Sequence, residues 1–276
     1  MATISTLLAC MRTDRSNAEL LAVVADLAQR FSAAVIGVAA RQLSLHSSLM
    51  VTGPSEPRGR EFEKFRERAA AVEAEFRSAL SRVDNLQWRS QMTAGPASQF
   101  AASEASAADL IVAAVEPGER VFSTSPEIEV GDLLMRAGRP ILMAPPGAPG
   151  LKLTRTLVCW KDSREARRAV VDALPFLKAS NGVDVVELAH EHEIELARGR
   201  VADVGDWLHR HGVEATCVAT PLSGLESAHL AAITEDIKPD LIVAGAFGHS
   251  RLREWAFGGV TRDLLARAER CTFLSH

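Results

Sequence analysis

The chain has 276 residues, enough for one large domain or two of about 140 residues each. Hydrophobic residues make up 47% and charged residues 24%, a globular balance that excludes disorder over most of the chain. Lys and Arg number 31 against 35 Asp and Glu, a formal net charge of -4, so the basic surplus of a sequence-blind nucleic-acid binder is missing.

No apolar run reaches the roughly 20 residues that span a bilayer. The first residues, MATISTLLACMRTDR, carry no basic segment ahead of their short apolar run, so no signal peptide and a cytoplasmic location are expected. Cys10, Cys159, Cys217 and Cys271 each lie in or beside an apolar run, without a CxxC pair or a histidine at metal-ligand spacing. They read as buried, reduced thiols.

In chain order, Thr6-Leu-Leu opens a first strand pattern. Leu20, Val24 and Leu27 follow at helical spacing, and Val35 begins a second strand. Residues 42–60 contain His46-Ser-Ser and Thr52-Gly-Pro-Ser-Glu-Pro-Arg-Gly and read as a long loop. Phe62, Phe65, Ala69, Val72 and Phe76 give the next helix, Asp109-Leu-Ile-Val-Ala a later strand and Ile141-Leu-Met another. The Pro- and Gly-rich stretch Ala144-Pro-Pro-Gly-Ala-Pro-Gly150 reads as a linker.

The pattern then repeats. Thr156 to Trp160 is a strand; Ala166, Ala169, Val170, Ala173, Leu174 and Leu177 repeat as one helix; Val183 to Ala189 is a strand. Ile194, Ala197, Val201, Val204 and Leu208 form a helix, Ala215 to Ala219 a strand and Leu225 to Ile237 a weaker helix. Leu241 to Ala244 is a strand, Val260 to Arg267 a helix and Thr272 to Ser275 a last strand. The two halves are a duplication. Asp109-Leu-Ile-Val-Ala falls on Asp240-Leu-Ile-Val-Ala at an offset of 131, which also carries Asp132-Leu-Leu onto Asp263-Leu-Leu. The helix after the long loop repeats at 132, and the first strand aligns at 150, as Thr6 with Thr156 and Val35 with Val185. Short apolar strands alternating with amphipathic helices are buried on both faces, so each copy is expected to be a doubly wound α/β domain with a parallel sheet. The domains are residues 1–145 and 151–276, facing each other about a pseudo-twofold axis. Ligands in such sheets bind at the carboxyl ends of the strands.

The second copy carries Gly245-x2-Gly248-x9-Gly258, followed by Gly259-Val260-Thr261 at the start of the last helix. Two readings stand. The glycines serve tight turns and close helix–sheet packing, or they bring free N–H groups of a helix start to a phosphate, with the Thr261 hydroxyl as a further donor.

This spacing, with His249-Ser-Arg-Leu-Arg-Glu-Trp-Ala-Phe-Gly-Gly-Val-Thr-Arg-Asp-Leu-Leu and the ending Thr272-Phe-Leu-Ser-His276, resembles the universal stress protein family. Since both copies share the pattern, the chain resembles a tandem member with two five-stranded Rossmann-like sheets. The resemblance implies ATP or AMP, with or without Mg, bound between the first and fourth strands of the second copy. Gly245, Gly248, His249, Gly258, Gly259, Val260 and Thr261 would line the ribose and phosphates, with Trp160, Lys161 and Asp162 beside the base. Two positions depart from the family pattern. Gly259 stands where Ser or Thr is usual, and Lys161 where an acid or amide is usual; Lys161 either reaches a phosphate or stays solvated. The resemblance also implies that Ile141 to Ala144 and Thr272 to Ser275 pair within the chain as an intramolecular pseudo-dimer, with a further homodimer left open.

At the offset of 131 the first copy has Ala114, Pro117, Glu127, Ile128 and Val130 in place of Gly245, Gly248, Gly258, Gly259 and Thr261. Pro117 removes an N–H, and Glu127 and Glu129 put negative charge where phosphate would sit, so this copy is expected to bind no nucleotide. His190, His192, His209 and His211 read as solvated loop and helix-end residues, and no metal is expected. His249 and Ser250 lack an acid to complete a triad, and no catalytic residue is assigned. The expected function is a stress-response module that binds one adenine nucleotide for regulation, with slow ATP hydrolysis at most. A weak ATPase or phosphate-transfer enzyme and a nucleotide-free interaction scaffold are the alternatives.

Overall fold

Runs such as Leu7-Leu-Ala-Cys-Met11 and Leu241-Ile-Val-Ala244 have no polar alternation and are buried along their length, as befits strands covered on both faces. The structure is a computed structural model that describes residues 4–43, 56–115, 125–246 and 270–276, with backbone alone at 56–58. The described chain divides into two compact units, residues 4–115 with 125–150, and residues 151–246 with 270–276.

In the first unit the elements follow as β1 (Thr6–Met11), α1 (Ala18–Phe31), β2 (Ala34–Gln42), α2 (Glu56–Ala79), β3 (Leu86–Thr93), α3 (Ala97–Glu104), β4 (Leu110–Ala114), α4 (Val130–Ala137) and β5 (Ile141–Ala144). The strands pair in parallel in the order β3-β2-β1-β4-β5. Right-handed connections run one way from β1 to β3 and the other way from β3 to β5, so α1 packs beside α2 while α3 packs beside α4 on the opposite face. The order reverses between β1 and β4, the place where sheets of this kind take their ligands.

The second unit has β6 (Arg155–Trp160), α5 (Arg164–Asp172), α6 (Leu174–Ala179), β7 (Gly182–Ala189), α7 (Ile194–Arg210), β8 (Ala215–Pro221), α8 (Glu226–Ile237), β9 (Leu241–Gly245) and β10 (Cys271–Ser275). Its parallel order, β8-β7-β6-β9-β10, repeats the first. Helix α5 packs on β9 and β10, α7 on β7 and β8, and α8 across β6. Leu157, Val186 and Leu230 form the α8 side of the core, while Phe176 and Phe273 pack with tilted rings, centroids 5.5 Å apart, elsewhere in the unit.

A pair of aspartates marks the duplication in hydrogen bonds. Asp109 Oδ2 accepts the N–H groups of Ser5 and Thr6 at 2.8 and 3.0 Å, and Asp240 Oδ2 accepts those of Thr154 and Arg155 at 2.6 and 3.1 Å. These bonds correct the expected register. Leu7 pairs with Leu110 and Thr156 with Leu241, so β1 and β6 correspond at an offset of 149 rather than 150. Val35 pairs with Leu7 and Val183 with Thr156, so the second strands correspond at 148, and Val35 matches Val183 instead of Val185. In runs that are apolar on both faces, a slip of one residue leaves the hydrophobic pattern unchanged.

Two further differences have local causes. The single helix expected over 166–177 is broken at Ala173, because Pro175 has no N–H to continue the ladder and restarts the chain as the first turn of α6. The last five residues of the expected 42–60 loop, 56–60, are helical, with Pro57 in the first turn of α2 where its missing N–H costs nothing; 44–55 lie outside the described residues. The expected last helix, Val260 to Arg267, also lies outside them.

Candidate functional site

Strand β6 ends at Trp160, and Lys161 to Ser163 turn the chain into α5. Ser163 caps that helix, its hydroxyl accepting the Ala166 N–H at 3.2 Å. Strand β9 ends beside this turn at Gly245. A Cβ placed on Gly245 would lie 2.5 Å from the Ala166 nitrogen and 2.6 Å from the Glu165 carbonyl carbon, closer than any side chain tolerates. Gly245 is therefore required by the approach of β9 to the first turn of α5, which is the packing reading of this glycine. Beyond it, Ala246 donates its N–H to the Ser275 carbonyl at 2.9 Å and His276 Nδ1 lies 3.1 Å from the Ala246 carbonyl, so the end of β10 braces the same edge.

Of the other expected ligand residues, Asp162 is ion-paired with Arg167 and Lys161 is exposed, its Nζ 3.9 Å from a Glu226 carboxylate oxygen. Gly248, His249, Gly258, Gly259, Val260 and Thr261 lie outside the described residues. Sequence reasoning missed Glu165, a buried carboxylate in the first turn of α5. Burial is the largest influence on it and raises its pKa. The Arg164 guanidinium, its own backbone N–H and the Ser163 hydroxyl together outweigh burial and leave it below the ordinary glutamate value. An acid two residues after a serine cap was the available signal.

The corresponding place in the first unit is filled by the protein itself. Glu127 is buried, and its carboxylate accepts the Thr13 N–H at 3.2 Å and the Thr13 hydroxyl at 2.8 Å, both in the loop after β1. Arg41, at the end of β2, closes an ion pair on the same carboxylate. The segment is held by backbone as well: Arg41 and Glu127 form an antiparallel bridge, and Gln42 donates its N–H to the Pro126 carbonyl at 2.6 Å. An internal anion thus sits on the first-strand loop of this unit, hydrogen-bonded to a backbone N–H, a hydroxyl and a guanidinium. Ala114 and Ile128 line the same end of the sheet, Val130 begins α4, and Pro117 lies outside the described residues.

Elsewhere, His190 and His192 stack at 5.7 Å around a 3-10 turn, His209 pairs with Glu214 at 2.8 Å, and His211 packs on Trp207. Among the described residues no group of three or more His, Cys, Asp or Glu is placed to hold a metal ion, and no helix is long and apolar enough to cross a membrane. No disulfide joins the four cysteines; Cys10 and Cys271 are buried, while Cys159 and Cys217 are partly exposed.

No protein-family model matches the sequence, and no curated protein matches it significantly. Solved structures do resemble it. A universal stress protein of Archaeoglobus fulgidus superposes with a TM-score of 0.75 at 14% identity, over 99% of this chain and 96% of that one. A Pseudomonas aeruginosa protein assigned to the universal stress proteins gives 0.62 at 13% identity, over 99% and 93%. A functionally unknown Pseudomonas aeruginosa protein gives 0.59 at 12% identity, over 99% and 92%. At these identities the likeness is one of fold. The chain has the universal stress protein fold, built as two parallel-sheet units in tandem.

Proposed function

We propose that this chain is a universal-stress-protein-like regulatory module that binds one adenine nucleotide, ATP or AMP, in its second unit and none in its first. The observation that carries the reading is the filled loop of the first unit. There the Glu127 carboxylate satisfies the Thr13 N–H and hydroxyl and the Arg41 guanidinium, leaving no room for a second anion. In the second copy the residue at the place of Glu127 is Gly258, which has no side chain to supply an anion. An external phosphate is the chemical substitute, met by the N–H groups of a helix start.

In this reading Gly248, His249, Gly258, Gly259, Val260 and Thr261 surround the ribose and phosphates of the nucleotide, bound with or without Mg. Gly245 serves by letting β9 close on α5. Trp160, Lys161 and Asp162 flank the base, with exposed Lys161 free to swing toward phosphate from its 3.9 Å approach to Glu226. The test is calorimetric titration of ATP and AMP into the intact protein and into Gly248→Glu and Gly258→Glu. The reading expects saturation near one nucleotide per chain, abolished by either substitution. Absence of heat and of retained nucleotide would overturn it, and turnover well above background, lost in the same variants, would replace regulation by catalysis.

A further inference from the structure

Trp160 and Glu187 are paired residues of the neighbouring parallel strands β6 and β7, so their side chains leave the sheet on the same face. It is the face opposite α8, whose core cluster takes the alternate residues Cys159 and Val186. Two helices cover this face unevenly, α5 over β9 and β10 and α7 over β7 and β8. Between them lies a groove of about 370 Å³, within the ordinary range of small-molecule sites. Trp160 and Trp207 are its aromatic residues and Val170, Val171 and Val204 its aliphatic ones.

In the first unit the matching helices, α1 and α2, are joined by a polar contact. There Glu75 of α2 accepts the Asn17 N–H at 3.0 Å and the Ser16 hydroxyl at 3.2 Å, tying α2 to the start of α1. By the helical offset of 132, Trp207 stands where the first copy has Glu75. A polar tie has been exchanged for an aromatic wall.

Two observations define what the groove would take. The Trp160 Nε1–H is buried without a hydrogen-bond partner, a donor whose burial costs free energy until an acceptor arrives. The cations at the groove are already matched. Arg167 is paired with Asp162, and Arg200 with Glu187, which accepts from its Nε at 2.9 Å. Asp203, exposed at the rim, is the remaining charge. The groove therefore offers flat apolar walls, one buried donor and one carboxylate acceptor, and no spare cation for a phosphate.

We infer that the groove between α5 and α7 is a binding site for an uncharged, flat, two-ring heteroaromatic molecule with an acceptor for Trp160 Nε1–H and an N–H for Asp203. This site needs no phosphate; it shares Trp160 and Asp162 with the nucleotide reading above but lies between α5 and α7. Benzimidazole, which carries both groups and is uncharged at mildly alkaline pH, is the probe; indole, which lacks the acceptor, is the control. The readout is the side-chain indole N–H resonance of Trp160 in the ¹⁵N-labelled intact protein, assigned with Trp160→Phe.

Benzimidazole should shift this resonance saturably, and indole should bind about five- to tenfold more weakly for want of one hydrogen bond. Val171→Trp should abolish the shift by filling the groove. Val171 is 45% exposed, so the larger side chain enters without rebuilding the core, and an unchanged unfolding midpoint verifies this. Absence of a saturable shift, equal binding of indole or an unaffected Val171→Trp would each overturn the inference.

Discussion

Replacing Glu127 with Ala would remove the anion on which the first unit's loop is built. The carboxylate is 1% exposed and its partner Arg41 is 25% exposed. Removing one member of a buried ion pair costs about 3–5 kcal/mol, and the partial exposure of Arg41 puts this case at the lower end. The Thr13 N–H and hydroxyl lose their acceptor too, adding about 1 kcal/mol less whatever water recovers. The expected loss is about 3 kcal/mol, a fall of about 1–2 M in the urea midpoint of the first unit. Glu127→Gln keeps an acceptor for Thr13 and should cost about half as much. Because Arg41 and Glu127 act on each other, Arg41→Ala with Glu127→Ala should cost at least about 1 kcal/mol less than the two single changes summed. Urea unfolding followed by circular dichroism gives all four values. A loss below about 1 kcal/mol for Glu127→Ala, or strict additivity, would refute the internal-anion argument.

Three other expectations follow from the geometry. Gly245→Ala puts a Cβ 2.5 Å from a backbone nitrogen of α5, so it should cost about 1–3 kcal/mol in the unfolding of the second unit; a neutral substitution would contradict the close-approach argument. Arg12 grips Asp14 with two bonds of 3.0 Å and holds its pKa below the ordinary 3.8. That contribution is present above the ordinary value and is lost as pH falls through the lowered one, so Asp14→Asn should cost less than about 1 kcal/mol at neutral pH and nothing in strong acid; a penalty that grows on acidification would reverse the sign. Burial pushes the Cys10 thiol up to about 12, so in a variant with Cys10 as its one cysteine, labelling by a disulfide reagent at mildly alkaline pH should be at least about a hundredfold slower than in urea. Comparable rates would show that β1 is open to solvent.

The strand–helix alternation and the duplication were legible because Asp109-Leu-Ile-Val-Ala and Asp240-Leu-Ile-Val-Ala keep the same role, a carboxylate tying the fourth strand to the start of the first. The register of β1 against β6 was not legible. An unbroken apolar run carries no alternation to fix it, and the loop after β1 is longer than the loop after β6. Pro175 signalled the break between α5 and α6, but apolar spacing on both sides of it masked the signal. At the candidate site, Gly245 was legible as a glycine and ambiguous in purpose, and its neighbours in space decide for packing. Glu127 was legible as misplaced charge; that Arg41 and Thr13 receive it depends on contacts 86 and 114 residues away. Trp207 and Arg200 were invisible as groove residues, because a helical pattern records which side faces the core and not whether the neighbouring helix reaches it.

The claim that one chain holds a filled site and an open one is tested most directly by amide hydrogen exchange of the intact protein with and without ATP. The account predicts ATP-dependent protection of peptides covering 156–163 and 241–246 in the second unit, and unchanged exchange in 6–13 and 110–115 of the first. Protection in the first unit's peptides, or none in either, would contradict it.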